Sequence, residues 1–500
     1  MSQAVVSVNA GVLLPILAPA IGAAVVLVVD VAAQRLRRTH YLIALVSLVV
    51  GAVGTFAGLG TAAGDVRQTL CLPGGGQCMY AADAVASGLQ LAALLAAGVT
   101  LLLSWPDDKK QSSGSTAVIV SLVLAATAGA TAVAGARDLG SWLVALELAT
   151  LPTVALVALR GARSAISGAI ALLTTALVSF GLLALAAALW FTATGSGFLT
   201  PEAALTVIDD PTRRPILVLA VALVVAGIGF KLSLVPFHAW TPEAYDGAPL
   251  PIAAFLAGVS KIAALAALLI VIRAIAPLGA PALTTIAMVA AASMTLGNIM
   301  ALRQDGVVRL LAWSTVAQAG WVVMPLATVS SAAVFASGAY LLAYVLATLL
   351  AFAVVAALVQ MRGAARARDL SGYHGLVHDH PVLAAALGLA LLSLAGLPPG
   401  VLGLVAKVTA LRPVVAGELW LMAVIAAVNA VLGVAVYLRW LRVVMATPDD
   451  SAEAGTDSSV GVTVRMVHAH PATLVAVGLA AVALVVTSIN PQLILGLLGS

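Results

Sequence analysis

The sequence predicts an all-α integral membrane protein with about fourteen transmembrane helices, because it is long, highly apolar and poor in charge. Of its 500 residues, 62% are hydrophobic and 9% are charged, and the mean hydropathy is +1.13. In an ordinary soluble domain roughly 25% of the residues are charged. A single soluble core stops growing at about 250–300 residues and still needs a polar surface, so a lipid bilayer must supply the apolar surroundings.

Apolar runs of membrane-spanning length recur along the whole chain. A transmembrane helix needs about 20 mostly apolar residues, and clusters of Gly, Pro, Asp or Arg separate the runs. No polar stretch between them exceeds about 25 residues, which is too short to fold alone, so we expect one polytopic domain over 1–500. The first run is too long for a signal-peptide core and is expected to be retained. The predicted spans are 8–32, 41–63, 83–105, 116–135, 139–160, 167–195, 215–238, 250–275, 280–302, 307–328, 331–361, 381–411, 418–446 and 470–497.

The distribution of Lys and Arg predicts the orientation, because basic residues are enriched in cytoplasmic loops. With both termini outside, fifteen basic residues are cytoplasmic and six lie in outer loops or at outer span ends. The net charge of +4 is therefore a topology signal and not a nucleic-acid-binding surface. We expect a multi-pass protein of the bacterial inner (plasma) membrane with both termini on the outer side. The fifteen are Arg35, Arg37, Arg38, Lys109, Lys110, Arg160, Arg163, Arg303, Arg309, Arg362, Arg366, Arg368, Arg439, Arg442 and Arg465; the six are Arg67, Arg137, Arg213, Arg214, Arg273 and Arg412.

The two cysteines, Cys71 and Cys78, lie in the predicted outer loop between spans 2 and 3. A Gly-rich loop of this length in an oxidising compartment allows a disulfide, with two free thiols as the alternative. The sequence has no other cysteine and no cluster of histidines inside a span, which is too few ligands for an iron–sulfur cluster or a buried haem. We therefore expect no metal or cofactor in this chain.

Four ionisable residues fall deep inside predicted spans: Glu147, Lys231, Lys261 and Lys407. A charged residue at the centre of a transmembrane helix costs about 2.5–3.5 kcal/mol on insertion scales, so each needs a reason. For any one of these four residues taken alone, a structural ion pair is the alternative interpretation. One glutamate cannot neutralise three lysines, however, and burial favours the neutral form of a lysine. The four residues are therefore predicted to carry protons.

Prolines interrupt the helices near these charges. Pro152 and Pro236 follow Glu147 and Lys231 by five residues, and each removes the hydrogen bond to the carbonyl four residues before it. Span 12 has a double proline inside 395–400, before its lysine. Free carbonyls at membrane depth are tolerated where they face protein or a water-filled cavity, which favours a hydrated half-channel. The alternative reading, that the prolines merely kink the helices, fits Pro152 better than the double proline.

Spans 7 and 12 lie five helices apart, and each combines a proline break with a lysine. Paired interrupted helices predict two five-helix repeats, spans 4–8 and 9–13, inverted relative to one another because each holds an odd number of helices. The halves show no convincing sequence identity. The expected organisation is three accessory N-terminal helices over about 1–110, a first repeat over 116–275, a second over 280–446 and a C-terminal helix over 470–497.

The segment 229–249, GFKLSLVPFHAWTPEAYDGAP, resembles the span-7 signature of the antiporter-like membrane subunits of respiratory complex I, the proton-translocating NADH:quinone oxidoreductase. The agreement extends to 259–261 (VSK), to 146–147 (LE) and to 309–314 (RLLAWS). It is most like subunit N, because the chain ends soon after span 14 and span 12 carries a lysine where subunit M has a glutamate.

The sequence departs from the expected pattern at four positions. Glu243 and Asp246 reverse the expected order of Asp and Glu, and Arg309 and Trp313 stand where Lys and Tyr are expected. Each change keeps charge or bulk, so the resemblance holds.

The resemblance implies a role for each buried charge. Glu147 and Lys231 would be the interacting pair, Lys261 the central relay and Lys407 the terminal carrier. His238, placed two helical turns beyond Lys231, would feed protons from the cytoplasmic side, since histidine titrates near neutral pH; an ordinary interfacial histidine is the alternative. The chain would be a non-redox subunit, with NADH, FMN, the iron–sulfur clusters and ubiquinone or menaquinone bound by partner membrane and peripheral subunits.

Three other functions stay open at this stage. A subunit of a multi-subunit cation/proton antiporter or of a membrane-bound hydrogenase would share the same ion path. A solute transporter would need polar and aromatic groups converging at its midplane, and only 5% of the residues are aromatic. A lipid-facing scaffold would have no use for four buried charges.

Overall fold

The structure, a computed structural model, describes residues 8–33, 36–59, 66–72, 77–106, 116–276, 281–328, 330–446 and 468–499. Four basic residues that enter the predicted orientation lie outside the described residues: Arg35, Lys109, Lys110 and Arg465.

Helices make up nearly all of the described chain, with one short β-hairpin and three short 3-10 helices. The strands are β1 (Arg67–Cys71) and β2 (Cys78–Ala82), and the 3-10 helices are Met324–Thr328, Leu370–Tyr373 and Gly496–Leu498. The α-helices are α1 (Ala10–Ala32), α2 (Arg37–Leu59), α3 (Ala84–Leu103), α4 (Thr116–Gly135), α5 (Leu139–Ala158), α6 (Arg163–Thr194), α7 (Pro201–Leu205), α8 (Arg214–Leu232), α9 (Trp240–Gly247), α10 (Leu250–Ala257), α11 (Val259–Ile275), α12 (Pro281–Leu302), α13 (Val307–Val323), α14 (Ser331–Arg362), α15 (Ala364–Ala367), α16 (Leu376–Asp379), α17 (Pro381–Ala395), α18 (Val401–Ala416), α19 (Trp420–Met445), α20 (Pro471–Ile489) and α21 (Gln492–Leu495).

In the described chain, thirteen helical segments are long and apolar enough to cross a membrane. The remaining predicted span, 381–411, is divided into α17 and α18 by a break over residues 396–400, so neither piece has spanning length. The prediction of an all-α integral membrane protein is thereby confirmed. The inverted relation between spans 4–8 and 9–13 stays a prediction.

The core of the molecule lies along three spans. Within the most apolar stretch of each span, the buried share of the residues is 94% in α10–α11, 100% in Val307–Thr328 and 89% in α14. By contrast, a third of α1, α6, α19 and α20 is buried, and their exposed Leu, Val and Ile side chains face outward. Helix α14 packs against α10, α17 and α18. A charge on the central spans is therefore shielded from lipid by other helices.

One end of the helix bundle carries the β-hairpin, and we call it the hairpin end; it also holds Asp83, Arg137 and Arg273. Strands β1 and β2 are antiparallel, and a disulfide joins Cys71 to Cys78 across them, as the sequence allowed. Asp83 Oδ2 lies 2.7 Å from Arg273 Nη1 and 3.4 Å from Arg137 Nη2. These contacts tie the start of α3 to the end of α11 and to the α4–α5 connection.

Asp83 makes the stability of the hairpin end depend on pH. Burial raises the pKa of Asp83, but Arg273, Arg137 and the Ala86 N–H that donates to the carboxylate together outweigh burial and hold the pKa below its usual value. A lowered folded-state pKa stabilises the fold above the unfolded value of about 3.9. This stabilisation is lost as the pH falls through the folded-state value.

The opposite end of the bundle is rich in ion pairs of arginine, and we call it the arginine end. Arg362 Nη2 lies 2.6 Å from Asp379, and Arg439 Nη2 lies 2.7 Å from Asp305. Arg368 donates to the backbone oxygen of Asp246 at 3.0 Å. Because Asp246 lies on α9, Arg368 holds the connection between α8 and α10 in place.

Candidate proton-transfer site

The break after α8 differs from the predicted one in position and cause. The predicted end of span 7 at residue 238 is wrong: α8 ends at Leu232, because Ser233 adopts the left-handed conformation with φ +68°. Pro236 was expected to free the carbonyl of Leu232, four residues before it. The N–H groups of Ser233 and Leu234 bond to the carbonyls of Phe230 and Gly229. The carbonyl of Lys231 is therefore left without a backbone partner.

Glu147 on α5 and Lys231 on α8 form an ion pair inside the membrane-spanning region. Lys231 Nζ donates to Glu147 Oε1 and to Thr150 Oγ1, both at 2.9 Å. The Lys231 side chain is 5% exposed and that of Glu147 is 14% exposed. A buried ion pair needs such additional hydrogen bonds to offset desolvation. Thr150 was not predicted from the sequence, although it lies one turn after Glu147 on the same helical face.

Lys261 contacts this pair through the backbone carbonyl of Lys231 and forms no ion pair with Glu147. Its Nζ donates to the carbonyl oxygen of Lys231 at 2.9 Å and to Ser233 Oγ at 2.5 Å, and it lies 4.8 Å from the centroid of the Trp240 ring. No carboxylate among the described residues pairs with Lys261. The free carbonyl that the helix break creates is thus the acceptor for the next lysine.

A second break, which the sequence did not predict, places Lys261. Span 8 is divided at Gly258 into α10 and α11, so Lys261 is the third residue of α11. The N-terminus of a helix carries a partial positive charge, which disfavours a nearby cation. Lys261 therefore lies in the first turn of α11, held by two neutral oxygens and an indole face.

Lys407 repeats the arrangement of Lys261 in the second half of the chain. Its Nζ donates to the carbonyl oxygen of Ala395, the last residue of α17, at 2.5 Å, and lies 5.6 Å from the ring centroid of Trp321. Gly396 makes the break with φ +78°, a conformation that favours glycine. As with Lys261, no carboxylate in the described part of the chain pairs with Lys407.

Lys407 is separate from the other three predicted residues. Helix α14 packs against both α10 and α18. A small cavity adjoins α18 here and is lined by Gln318, Tyr340, Tyr344, Ser393 and Ala406, among others. The structure thus brings Glu147, Lys231 and Lys261 together and leaves a polar gap before Lys407.

His238 does not lie on an extension of α8, although the sequence analysis predicted it two helical turns beyond Lys231. It lies in the connection between α8 and α9, partly buried, with its ring centroid 5.2 Å from that of Trp313. Its Nδ1 atom is buried without a hydrogen-bond partner in the described structure. His238 is therefore at the arginine end, just before α9 and beside Trp313 of α13.

The departures at Glu243, Asp246 and Arg309 have a structural explanation. Arg309 lies 3.6 Å from Glu243 and 4.0 Å from Asp246, so it reaches both carboxylates of α9. The order of the two acids is therefore interchangeable. These groups are 39% to 50% exposed, and exposed pairs contribute little stability.

Comparison with known proteins agrees with this geometry. The family model described as NADH:quinone oxidoreductase/Mrp antiporter, TM, matches residues 136–433. A curated NADH-quinone oxidoreductase subunit N of Salinispora tropica is 40% identical over 340 residues, covering 62% of this chain and 65% of that protein. NADH-quinone oxidoreductase subunit N 2 of Streptomyces griseus is 36% identical over 452 residues, covering 87% of this chain and 83% of that protein. The alignment therefore spans just under two thirds of the first relative and more of the second.

Solved structures share the fold over nearly the whole chain. A chain of respiratory complex I from Thermus thermophilus has a TM-score of 0.75 and 29% identity, covering 96% of this chain and 98% of that one. A chain of the Mrp complex from Dietzia sp. has a TM-score of 0.77 at 19% identity, covering 98% and 96%; at that identity the likeness shows the fold alone. With the family model matching more than half of its length, the chain belongs to the NADH:quinone oxidoreductase/Mrp antiporter family of membrane subunits.

Proposed function

We propose that this chain is the proton-translocating, subunit N-like membrane subunit of a bacterial NADH:quinone oxidoreductase. The observation that carries the proposal is the contact of the Lys261 ammonium with the carbonyl oxygen of Lys231, next to the Glu147–Lys231 ion pair. Three ionisable groups lie in one continuous chain of contacts, and of the two lysines among them only Lys231 contacts the carboxylate of Glu147. One carboxylate cannot balance the charge of two protonated lysines, which supports an exchange of protons among the three groups.

The mechanism is electrostatic. While Glu147 is ionised and paired, it holds Lys231 protonated; when the contact weakens, burial favours neutral Lys231 and its proton passes to Lys261. Ser233 Oγ and the Lys231 carbonyl orient the receiving amine. Transfer on to Lys407 crosses the gap beside α14, where the cavity lined by Tyr344 and Ser393 offers room and polar partners for water. His238 supplies protons from the arginine end.

In this proposal the chain has no redox role. NADH, FMN, the iron–sulfur clusters and the quinone bind to partner subunits, and quinone chemistry there drives the change at Glu147. The arginine end faces the cytoplasm and both termini face the outer side, in line with the excess of basic residues at the arginine end.

Purification of the assembly through a tag on this chain tests the proposal. Flavin and iron–sulfur subunits that oxidise NADH are expected to co-purify in stoichiometric amounts. Co-purification with other antiporter subunits alone, and Na⁺/H⁺ exchange without NADH oxidation, would instead favour the cation/proton antiporter, whose fold this chain shares.

A further inference from the structure

A column of buried polar side chains runs from the Lys407 region toward the arginine end. It comprises Tyr340 on α14, Gln318 and Ser314 on α13, and Tyr437 on α19, and all four are at most 4% exposed. Tyr340 and Gln318 line the cavity next to Ala406, the neighbour of Lys407 in the chain. Ser314 lies two turns from Val307, where α13 begins at the arginine end. The column therefore occupies the space between the terminal lysine and that end.

A continuous column of hydroxyl groups beside the terminal carrier would let a proton pump leak. Buried hydroxyl groups in hydrogen-bond contact pass protons, because each oxygen can accept one proton and release another. If Lys407 delivers protons to the hairpin end, a continuous hydroxyl path to the arginine end would let them return. The coupled gradient would then dissipate through the pump itself.

Gln318 interrupts the column at its centre. Tyr340 Oη donates to Gln318 Oε1 at 2.5 Å, and Gln318 Nε2 donates to Tyr437 Oη at 2.8 Å, which in turn lies 2.6 Å from Ser314 Oγ. An amide has a carbonyl that only accepts and an NH₂ group that only donates. A proton would cross it only through the unfavourable imidic acid form, whichever way round the amide is placed.

A neighbouring branch of hydroxyl groups begins at Tyr344. Tyr344 Oη lies 2.8 Å from Thr315 Oγ1, and Thr315 donates its single proton to the carbonyl oxygen of Leu311 at 2.9 Å. A backbone carbonyl accepts a proton donor but has no proton to pass on. The branch through Gln318 therefore finishes at an amide, whereas the Thr315 hydroxyl donates to a peptide carbonyl and also lies close to Tyr245 of α9.

We propose that Gln318 insulates Lys407 from the arginine end and so fixes the direction in which the terminal carrier exchanges protons. The inference rests on the proposed function, because it assigns to Lys407 the role of terminal carrier. A merely structural glutamine, joining α13, α14 and α19, would show the same hydrogen bonds, so the test must separate insulation from packing.

The test is passive proton leak in the whole complex, reconstituted in liposomes without NADH. A pH gradient is imposed, charge is compensated with valinomycin and K⁺, and the decay is followed with a pH-sensitive dye. Gln318→Glu keeps the shape and adds a group that both accepts and releases protons; Gln318→Ser supplies a hydroxyl and space for water. Both are expected to speed the decay severalfold. Gln318→Met, matched in size and unable to carry a proton, is expected to decay at the wild-type rate.

A second substitution tests whether the leak passes through Lys407. Lys407→Met in the Gln318→Glu background is expected to abolish the leak. Wild-type decay in both the Glu and Ser variants, or an equal leak in the Met variant, would overturn the insulation proposal. Failure of the proposed function looks different: the single Lys407→Met variant would then pump like wild type during NADH oxidation.

Discussion

The ammonium of Lys231 is held by one carboxylate and one hydroxyl, and these two contacts make different predictions. Glu147→Gln keeps the volume and removes the charge, so we expect it to impair NADH-driven proton translocation strongly, while Glu147→Asp retains part of it. Pumping is measured as quenching of a pH-sensitive dye in membrane vesicles, relative to NADH oxidation. Equal activity of the Glu147→Gln and wild-type complexes would remove Glu147 from the mechanism.

Thr150 contributes a hydrogen bond and no charge. Thr150→Val keeps the shape but removes the acceptor at 2.9 Å, and a hydrogen bond to a charged group is worth about 1.5–3 kcal/mol. We expect a smaller loss of pumping than for Glu147→Gln in the same vesicle assay. Thr150→Ser, the matched control, keeps the hydroxyl and should pump like wild type. A fully active Val variant would show that the hydroxyl is dispensable.

The pairing of Glu147 with Lys231 could be anticipated from the sequence, because two buried opposite charges on apolar spans have few other partners. The hydrogen-bond acceptors of Lys261 and Lys407 could not be anticipated from the sequence. Which carbonyl is left free depends on the backbone conformation of Ser233 and Gly396, and which indole lies over each amine depends on helix packing. Only the prolines gave a signal: Pro236 predicted a free carbonyl at Leu232, one residue after the Lys231 carbonyl that accepts from Lys261.

At the scale of the helix, the break at Gly396 aligns the Ala395 carbonyl with Lys407. A Cβ at Gly396 would lie 3.0 Å from Lys407 Cδ and 3.2 Å from its Nζ. The left-handed conformation costs a non-glycine residue about 1–2 kcal/mol. We therefore expect Gly396→Ala to lower both thermal stability and proton pumping, measured on the purified complex and in vesicles.

Gly388 provides the control for that substitution. It lies on the same helix, α17, and a Cβ there would meet only Leu441 Cδ1, at the ordinary contact distance of 3.5 Å. Alanine also has a better helix propensity than glycine. Gly388→Ala should therefore keep wild-type stability and pumping, and equal losses in both variants would argue against a specific role of the break.

The hairpin is an element that the sequence assigned to a loop. Its strands are five residues each, and turn residues alone did not reveal their pairing. The disulfide lies at the hairpin end, away from the buried lysines, so Cys71→Ser with Cys78→Ser should leave NADH-driven pumping intact. Mass mapping without reductant should recover the cross-linked peptide from the wild-type protein. Quantitative thiol labelling in intact cells would contradict the disulfide.

For the whole molecule, hydropathy was sufficient to predict the class, because the bilayer forces every spanning segment to satisfy its own backbone. It could not reveal which spans are interrupted. Span 8 is broken at Gly258 without a proline, and nothing in its apolar run distinguishes it from a continuous helix. The order of burial, with α10–α11, α13 and α14 innermost, also depends on packing that periodicity does not record.

The central claim is that Lys231 acts by releasing a proton and not only by pairing with Glu147. The most direct measurement compares Lys231→Arg and Lys231→Ala complexes for NADH oxidation and pH-gradient formation in membrane vesicles. Arginine keeps the ion pair but is not deprotonated in proteins, so the account predicts an assembled complex with strongly impaired pumping for both variants. A purely structural pair would tolerate Arg and suffer from Ala, and a Lys231→Arg complex that pumps like wild type would contradict the account.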